Sequence, residues 1–205
     1  MTTTDRRERE KEQMRRRIMD AAMELFVKEG YGSVSMRYIA AAIEYSPATI
    51  YLYFRDKDDI FYALLQDGFR LLTERQEAVQ SITDPLERLA AHGRAYVDFA
   101  LEHPELYEIM FSLRGPEVHM KADADFETTG DSYGILRRNV RECQEVGHFA
   151  GQHPEIVAFA LWSLVHGAAS LSTNGRMDML PPEMRRMLLD GFKDMLPWMM
   201  GRESK

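Results

Sequence analysis

Apolar residues near the start of the chain recur at intervals of three and four positions, which is the spacing of one face of an α-helix. The stripe ends before Gly30, a residue type that readily adopts the left-handed conformation in which helices stop. Its members are Ile18, Ala21, Ala22, Leu25 and Phe26. The pattern predicts an amphipathic first helix that ends near residue 30.

Two shorter helices are predicted next, each preceded by a serine that can cap the free N–H groups of its first turn. Ser35 precedes the second helix, and Ser46 with Pro47 opens the third. The inward residues would be Met36, Ile39, Ala40 and Ile43 in the second helix and Ile50, Tyr53 and Phe54 in the third. A fourth helix is predicted from about residue 58 to residue 80.

The rest of the chain shows the same helical spacing between short breaks marked by Pro and Gly, without a long strand-like alternation. The breaks fall at residues 84–85, 103–104, 115–116, 147, 153–154, 174–175 and 181–182. We therefore expect an all-α protein of about nine helices.

The net charge of −7 is unevenly distributed along the 205 residues. Residues 1–57 hold eleven Lys and Arg against nine Asp and Glu, a local charge of +2 that leaves −9 for the remainder. Because salt screens charges beyond about 8–10 Å, a polyanion responds to the local field rather than to the net charge. An acidic protein can therefore bind nucleic acid through its front end.

Composition argues against several other classes of protein. The single Cys143 permits neither an internal disulfide nor a cysteine metal cage, which is typical of a reducing cytoplasm. No apolar run approaches the roughly 20 residues of a membrane span, and the N-terminus lacks the apolar core of a signal peptide. We expect a cytoplasmic protein with no membrane partner.

Catalytic and metal-binding patterns are also missing from the sequence. The six histidines show no metal-ligand spacing within a helix, so only a site assembled by the fold would use them. No nucleophile triad, phosphate-cradling Gly loop or close carboxylate pair has suitable context. We expect no enzyme activity, no cofactor and no resident metal.

Residues 35–54 meet the local requirements of a helix-turn-helix. In this motif the second helix enters the major groove of DNA, which is about 12 Å wide, and the first helix braces it against the DNA backbone. Arg37 can reach a guanine edge or a phosphate, Thr49 offers a hydroxyl and a methyl group, and Ala48 is small enough for close approach to bases. The pattern alone is equally compatible with two capped helices of an ordinary bundle.

Residues 18–61 resemble the DNA-binding domain of the TetR family of transcriptional repressors. The matching positions are Ile18, Ala21, Ala22, Leu25, Phe26, Gly30, Tyr31, Ser35, Ile39, Ala40, Ser46, Thr49, Ile50, Tyr51, Phe54, Lys57 and Ile60. Composition indicates a charged N-terminal arm over residues 1–14, which is either solvated or in contact with DNA phosphates. The resemblance implies a DNA-binding domain over 15–75 and an effector-binding and dimerisation domain over 76–205. It also implies sequence-specific binding to double-stranded operator DNA.

Individual roles follow from the same resemblance. The positions nearest base edges would be Arg37, Pro47, Ala48, Thr49, Leu52 and Tyr53. Tyr51 and Lys57 match positions that touch phosphates, and Ser35 and Ser46 would present helix N-terminal N–H groups to the DNA backbone. Glu44 departs from the family, which has Gly in this turn. A left-handed Glu44 would cost about 1 kcal/mol and add negative charge near the DNA.

Two segments of the body, Ala95–Phe111 and Trp162–Gly167, resemble the C-terminal domain of a TetR subgroup whose Trp-His-Gly signature is here Trp162, His166 and Gly167. Trp162 and His166 share one helix face, where they either orient a ligand or leave His166 to bond a core carbonyl. We expect a cavity for a small hydrophobic effector, with tight core packing as the alternative. Its candidate residues are Phe69, Tyr96, Phe99, Tyr107, Met110, Phe111, Tyr133, Leu136, Trp162 and His166.

The last two helices are predicted to be apolar on more than one side, and such helices need a second covering surface. A second copy of the chain would supply it through a four-helix bundle, and one crowded core is the alternative. The candidate interface residues are Ile156, Ala160, Leu164, Ala168, Leu171, Met184, Met187, Leu188, Met195 and Met199.

The preferred hypothesis is a homodimeric repressor that a small apolar ligand releases from a palindromic operator. The fourth helix would transmit the signal by tilting. A DNA-binding regulator with no effector and a metal-responsive sensor remain the alternatives.

Overall fold

The structure, a computed structural model, describes residues 3–116 and 132–199, with side chains described for residues 6–116 and 132–197. Every regular element in these ranges is helical, so the predicted all-α class is confirmed. The described helices are α1 (Thr3–Glu29), α2 (Met36–Ala42), α3 (Pro47–Tyr51), α4 (Lys57–Ala78), α5 (Pro85–Glu102), α6 (Pro104–Phe111), α7 (Ser132–Glu145), α8 (Pro154–Thr173) and α9 (Pro182–Met199). A single 3-10 turn at Tyr31–Ser33 links α1 to α2 in this part of the chain.

The described residues form two compact units that do not coincide with the predicted domains. Unit 1 comprises residues 3–68 and 105–116, and unit 2 comprises residues 69–104 and 132–199. Helix α4 passes from one unit into the other after Gly68, rather than at the predicted boundary after residue 75. Most of α6 belongs to unit 1, although the sequence placed it in the C-terminal domain.

Helix α1 begins at Thr3, so the expected separate arm over residues 1–14 is, from Thr3 onwards, the start of this helix. Its described side chains up to Gln13 are exposed, and Arg6 pairs with Glu10 one turn later at 3.4 Å. Exposed pairs of this kind contribute only about 0.3–0.5 kcal/mol each. The charged segment therefore extends α1 into solvent.

The core of unit 1 forms where the predicted stripes of α1, α2 and α3 meet. Its largest fully buried side chains in this region are Ile18, Phe26, Ile39, Ile50 and Phe54. The rings of Phe26, Tyr31 and Phe61 pack against one another with centroids 5.2–5.8 Å apart. Helices as short as α2 and α3 are not stable alone, so this shared core stabilises the three-helix arrangement.

The segment after α5 returns to unit 1 and packs closely on α4. A Cβ atom on Gly68 would lie 2.5 Å from Sδ of Met110, and one on Gly115 would lie 2.4 Å from Cε1 of Phe61. Both positions lack space for a side chain because α6 and the residues after it contact α4 directly. This close approach explains why residues 105–116 join unit 1.

In unit 2, α5 packs against α7, α8 and α9. Tyr133 and Arg137 of α7 contact Trp162 and Glu155 of α8, which shows that α7 and α8 run antiparallel. Helix α5 buries ten residues along its length, which makes it the central element of this unit.

Helix α8 is long and apolar enough, by length and composition alone, to cross a membrane, which the sequence had not led us to expect. One of its faces is buried within unit 2 and consists of Val157, Ala158, Leu161, Val165 and Ala169. Its other face is also apolar but exposed. A single helix of this kind is weak evidence for a membrane span, because core helices of soluble proteins pass the same test.

Candidate functional site

The turn between α2 and α3 is held by caps that the sequence predicted. Ser35 Oγ accepts from the N–H of Tyr38, and Ser46 Oγ accepts from the N–H of Thr49, both at 3.2 Å. The hydroxyls of Ser46 and Thr49 lie 3.0 Å apart. These bonds satisfy amide groups that would otherwise lack partners at the start of each helix.

Glu44 adopts the left-handed conformation that the resemblance implied, with φ of 61°. The N–H of Tyr45 donates to the carbonyl of Ala40 at 2.9 Å and closes the turn around it. A residue with a Cβ is disfavoured here by about 1–2 kcal/mol. The side chain of Glu44 is exposed, so its charge lies at the surface beside α3.

Two arginines of α1 brace this turn and the end of α3, a role that the sequence analysis missed. Arg17 donates to the carbonyl of Ile43 at 3.3 Å, and its guanidinium lies 5.3 Å from the ring centre of Tyr45. Arg15 donates to the carbonyl of Tyr53 at 3.4 Å and lies 4.2 Å from the ring centre of Phe54. The contacts place fixed positive charge beside the helix-turn-helix.

The residues predicted to contact DNA all keep solvent access on the surface of unit 1. Leu52 is 79% exposed and Tyr51 is 55% exposed, so two large side chains lie next to each other in solvent at the end of α3. The remaining exposed members are Ser35, Arg37, Ser46 and Ala48, and the half-buried ones are Pro47, Thr49 and Tyr53. Helix α3 thus buries Ile50 and presents its other sides outward.

Lys57, predicted to touch a phosphate, is engaged within unit 1. Its ammonium donates to the carbonyls of Tyr31 at 2.9 Å and Val34 at 3.2 Å, and lies 4.1 Å from the ring centre of Tyr31. An ammonium has three N–H donors, so two carbonyls leave one for an external anion. The Tyr31 hydroxyl donates to Asp58, and burial together with this bond raises the pKa of Tyr31.

In unit 2, four of the predicted ligand residues form a continuous aromatic cluster. Tyr96 Oη lies 2.9 Å from Nδ1 of His166, so a hydroxyl is one hydrogen-bonding partner of the histidine. Trp162 lies 5.7 Å from the His166 ring and 6.1 Å from the Tyr133 ring, measured between centroids. Burial lowers the pKa of His166.

The other predicted ligand residues are divided between the units. Phe69, Phe99 and Leu136 lie in unit 2, whereas Tyr107, Met110 and Phe111 lie in unit 1. Phe99, Tyr107 and Leu136 are buried, and Phe69, Met110 and Phe111 are half-buried. The ring centres of Tyr107 and Phe111 are 5.0 Å apart.

A cavity of about 400 Å³ opens on unit 2 away from the aromatic cluster. Its lining residues, none of them predicted, are Leu101, Ser172, Met177, Pro182, Arg185, Arg186, Leu189, Asp190 and Lys193. Lys193 pairs with Asp98 at 3.0 Å, and Arg185 pairs with Asp178 at 2.5 Å. Much of the positive charge at this cavity is therefore balanced locally.

The predicted dimer residues form exposed apolar stripes on α8 and α9. Ile156 is 65% exposed on α8, and Met187 is 61% exposed on α9. Ala160, Leu171, Met184, Leu188 and Met195 are also exposed, Leu164 and Ala168 are half-buried, and the side chain of Met199 lies outside the described residues. Phe159, which the sequence analysis omitted, adds an exposed ring to the α8 stripe one turn after Ile156.

Metal-binding groups do not come together in the described part of the chain. Within residues 3–116 and 132–199, no cluster of three or more His, Cys, Asp or Glu side chains is placed to hold an ion. Burial raises the pKa of the Cys143 thiol to about 11, which makes it a poor ligand or nucleophile near neutral pH.

Comparison with known proteins covers both parts of the chain. Residues 18–64 match the family described as bacterial regulatory proteins, tetR family, and residues 89–194 match the tetracyclin repressor-like C-terminal domain. The HTH-type transcriptional regulator HbdR of Aromatoleum sp. is 31% identical over 170 residues, which make up 77% of this chain and 72% of HbdR. The chain belongs to the TetR family.

Two further regulatory proteins resemble the chain at lower identity. A regulatory protein of the tetR family from Rhodococcus RHA1 has the same fold, with a TM-score of 0.71, 24% identity and coverage of 93% of this chain and 98% of that chain. The HTH-type transcriptional activator FasR of Mycolicibacterium smegmatis is 29% identical over 102 residues, 49% of this chain and 47% of FasR. As a TetR-family member, the protein is a DNA-binding transcriptional regulator and not an enzyme.

Proposed function

We propose that this TetR-family protein is a homodimeric repressor that binds a palindromic operator and leaves it when a small, largely apolar ligand binds. The observation that carries the proposal is the outward surface of α3, where Tyr51 and Leu52 are exposed beside a capped turn. The exposed Leu52 side chain suits contact with base methyl groups, and the hydroxyl of the exposed Tyr51 suits a phosphate.

DNA reading would be shared between α2 and α3. Arg37 at the start of α2 is exposed and reaches a guanine edge or a phosphate, while Ala48 and Thr49 allow close approach to the bases. Arg15 and Arg17 add positive charge on the α1 side of the same surface. The positive charge therefore lies at the reading surface, although the whole chain is acidic.

Dimerisation would bury the exposed stripes of α8 and α9. Burying apolar surface contributes about 25 cal/mol per Å², so leaving these stripes in water is unfavourable. A second copy supplies the same stripes in a two-fold arrangement, and four helices then form a bundle. A two-fold dimer also presents two copies of α3 to the two halves of a palindrome.

Ligand response would arise in the aromatic cluster of unit 2 and be transmitted by α4, which contains residues of both units. A ligand that binds more tightly to the DNA-incompetent conformation shifts the population towards it, typically with a coupling of about 1–3 kcal/mol. The name of FasR describes an activator, so activation is the second mode of regulation to test.

Selection of bound fragments from a genomic DNA pool with full-length protein tests the proposal. We expect enrichment of a two-fold symmetric sequence, and binding of it should be lost in a Leu52→Asp, Tyr51→Asp double variant. Enrichment of no sequence at low salt would contradict DNA reading. Reporter expression from the selected site, with and without the protein, then separates repression from activation.

A further inference from the structure

Four side chains of unit 2 contain a buried polar atom without a hydrogen-bond partner among the described residues: Thr73 and Gln76 on α4, His92 on α5 and Asn139 on α7. His92 on α5 is 4% exposed and Asn139 on α7 is fully buried. Within the described residues, Nδ1 of His92 and both the oxygen and the nitrogen of the Asn139 amide lack a hydrogen-bond partner. Each such atom costs about 1–3 kcal/mol, so buried polar atoms without partners are a marked departure from ordinary cores.

The helix directions place His92 and Asn139 opposite each other. Helix α7 is antiparallel to α8, as described above. Helix α5 is parallel to α8, because Tyr96 contacts His166 and, further along both helices, Leu101 lines the same cavity as Ser172. It follows that α5 and α7 are antiparallel.

A salt bridge then sets the register of α5 against α7. Arg88 of α5 pairs with Glu142 of α7. Moving forward one turn from Arg88 reaches His92, and moving back about one turn from Glu142 reaches Asn139. The proximity of the neighbouring Arg138 to His92 supports this register, because its positive charge adds to the effect of burial on the histidine.

Both members of the pair are uncharged near neutral pH. Burial, with a smaller contribution from Arg138, lowers the pKa of His92 to about 4, so its ring is neutral at pH 7. The Asn139 amide offers one acceptor and two donor hydrogens, and a neutral imidazole nitrogen donates or accepts according to its tautomer. The pair therefore matches a group that both donates and accepts, and neither of its two side chains is charged near neutral pH.

Aromatic side chains continue from this pair along α5. Tyr96 lies one turn after His92, and the Tyr96–His166 contact leads to Trp162. Aromatic and apolar walls around a few placed polar groups are typical of small-molecule sites. The polar pair and the aromatic cluster together suit a ligand with a polar head and an apolar or aromatic body.

We propose that His92 and Asn139 bind the head of the effector, and that this head is a neutral hydrogen-bonding group such as a primary amide or an alcohol. The inference rests on the proposed function, since it names the chemical class of the ligand to which this TetR-family protein responds. A carboxylate head is disfavoured, because it would leave the Asn139 oxygen unpaired and bury a charge.

The test uses full-length protein and three probes with one body and different heads: 3-phenylpropanamide, 3-phenylpropan-1-ol and 3-phenylpropanoate. Isothermal titration without DNA measures their affinities for the wild type, for Asn139→Leu and for the matched surface control Asn174→Leu. We expect the neutral probes to bind at least about tenfold more tightly than the carboxylate. Asn139→Leu should weaken amide binding by at least about tenfold, and Asn174→Leu should leave it unchanged.

Thermal unfolding without any probe is the second measurement. If the Asn139 amide has no hydrogen-bond partner in the free protein, Asn139→Leu removes two unpaired polar atoms at similar volume and raises the melting temperature or leaves it unchanged. A clear fall would show that the amide is satisfied structurally and would overturn the proposal.

Three titration results would also overturn it: no binding of either neutral probe at millimolar concentration, equal binding of the carboxylate, or unchanged amide affinity in Asn139→Leu. DNA binding is measured separately and without probes. A protein that fails to select DNA but binds the amide through Asn139 therefore contradicts the proposed function alone.

Discussion

Phe61 on α4 lies so close to Gly115 that a Cβ atom on residue 115 would be 2.4 Å from Cε1 of the ring. Phe61 is itself fixed by Phe26 and Tyr31, with centroids 5.8 Å and 5.2 Å away. The segment after α6 thereby packs on the rings of Phe26, Tyr31 and Phe61, which lie in the core of unit 1 that supports the helix-turn-helix. A substitution at residue 115 should therefore alter the packing of unit 1, which contains the helix-turn-helix.

Gly115→Ala should lower the free energy of unfolding by about 1–3 kcal/mol, because the added methyl group overpacks a ring that cannot move freely. Urea denaturation of the purified variant measures this change. Gly32→Ala is the matched control, since a Cβ there meets nothing within 4 Å. Equal stability of the two variants would show that the ring yields at little cost.

The three-helix core of unit 1 was predictable because its determinants are local. Ser35 and Ser46 cap the helices that they precede, and the apolar spacing of α1 and α2 is visible within single turns. The bracing contacts were not predictable, since Arg17 and Ile43 are separated by 26 positions and Arg15 and Tyr53 by 38. Such pairs depend on how the helices pack.

The return of residues 105–116 to unit 1 was missed for a similar reason. Met110 and Gly115 are ordinary residues in the sequence, and only the folded chain brings them to Gly68 and Phe61. The unpaired state of His92 and Asn139 was equally invisible, because a sequence contains the polar groups but not their partners. The exposed stripes of α8 and α9 were predictable, since helical periodicity alone defines them.

Glu44→Gly should stabilise the protein and strengthen DNA binding. Glycine tolerates the φ of 61° without the steric cost of a Cβ, and part of this gain is offset by greater freedom of the unfolded chain. We expect the free energy of unfolding to rise by about 0.5–1 kcal/mol in denaturation experiments. Glu44→Gln separates the two effects, because it removes the charge but keeps the strained backbone. If both variants bind DNA like the wild type, the Glu44 charge does not act on the DNA.

Arg37→Ala and Lys57→Ala should weaken DNA binding in different ways. Loss of Arg37 should reduce the preference for operator over random DNA by about 1–3 kcal/mol, with little effect on stability. Loss of Lys57 should weaken binding to all sequences and lower the salt slope by about 1. It should also destabilise unit 1, because the ammonium caps the carbonyls of Tyr31 and Val34. Fluorescence anisotropy at several salt concentrations measures the preference for operator DNA and the salt slope. Equal losses of affinity for operator and random DNA in Arg37→Ala would contradict base reading.

Met187→Glu should dissociate the proposed dimer, because it places a charge in the centre of an apolar stripe that a second copy would bury. Light scattering should then give the mass of one chain, and binding to a two-half-site operator should weaken. Met179→Glu makes the same chemical change at a residue that is 85% exposed and lies in the turn before α9. Dissociation by the control, or an intact dimer in Met187→Glu, would place the interface elsewhere.

The buried imidazole of His92 should make the stability of the protein fall in mild acid. Burial lowers its pKa to about 4 in the folded state, against about 6.5 in the unfolded chain. Between these values the unfolded state binds more protons, so the stabilising contribution is complete above about pH 6.5 and is lost as the pH falls towards 4.

His92→Gln removes this term, and the pH dependence of its unfolding free energy from pH 7 to pH 5 should be smaller than that of the wild type by about 2 kcal/mol. Urea titrations at both pH values measure the difference, with His148→Gln as a histidine control outside the core. Parallel pH profiles for the wild type and His92→Gln would mean that the folded protein accepts a proton on this ring, and hence that the space around it is polar and hydrated.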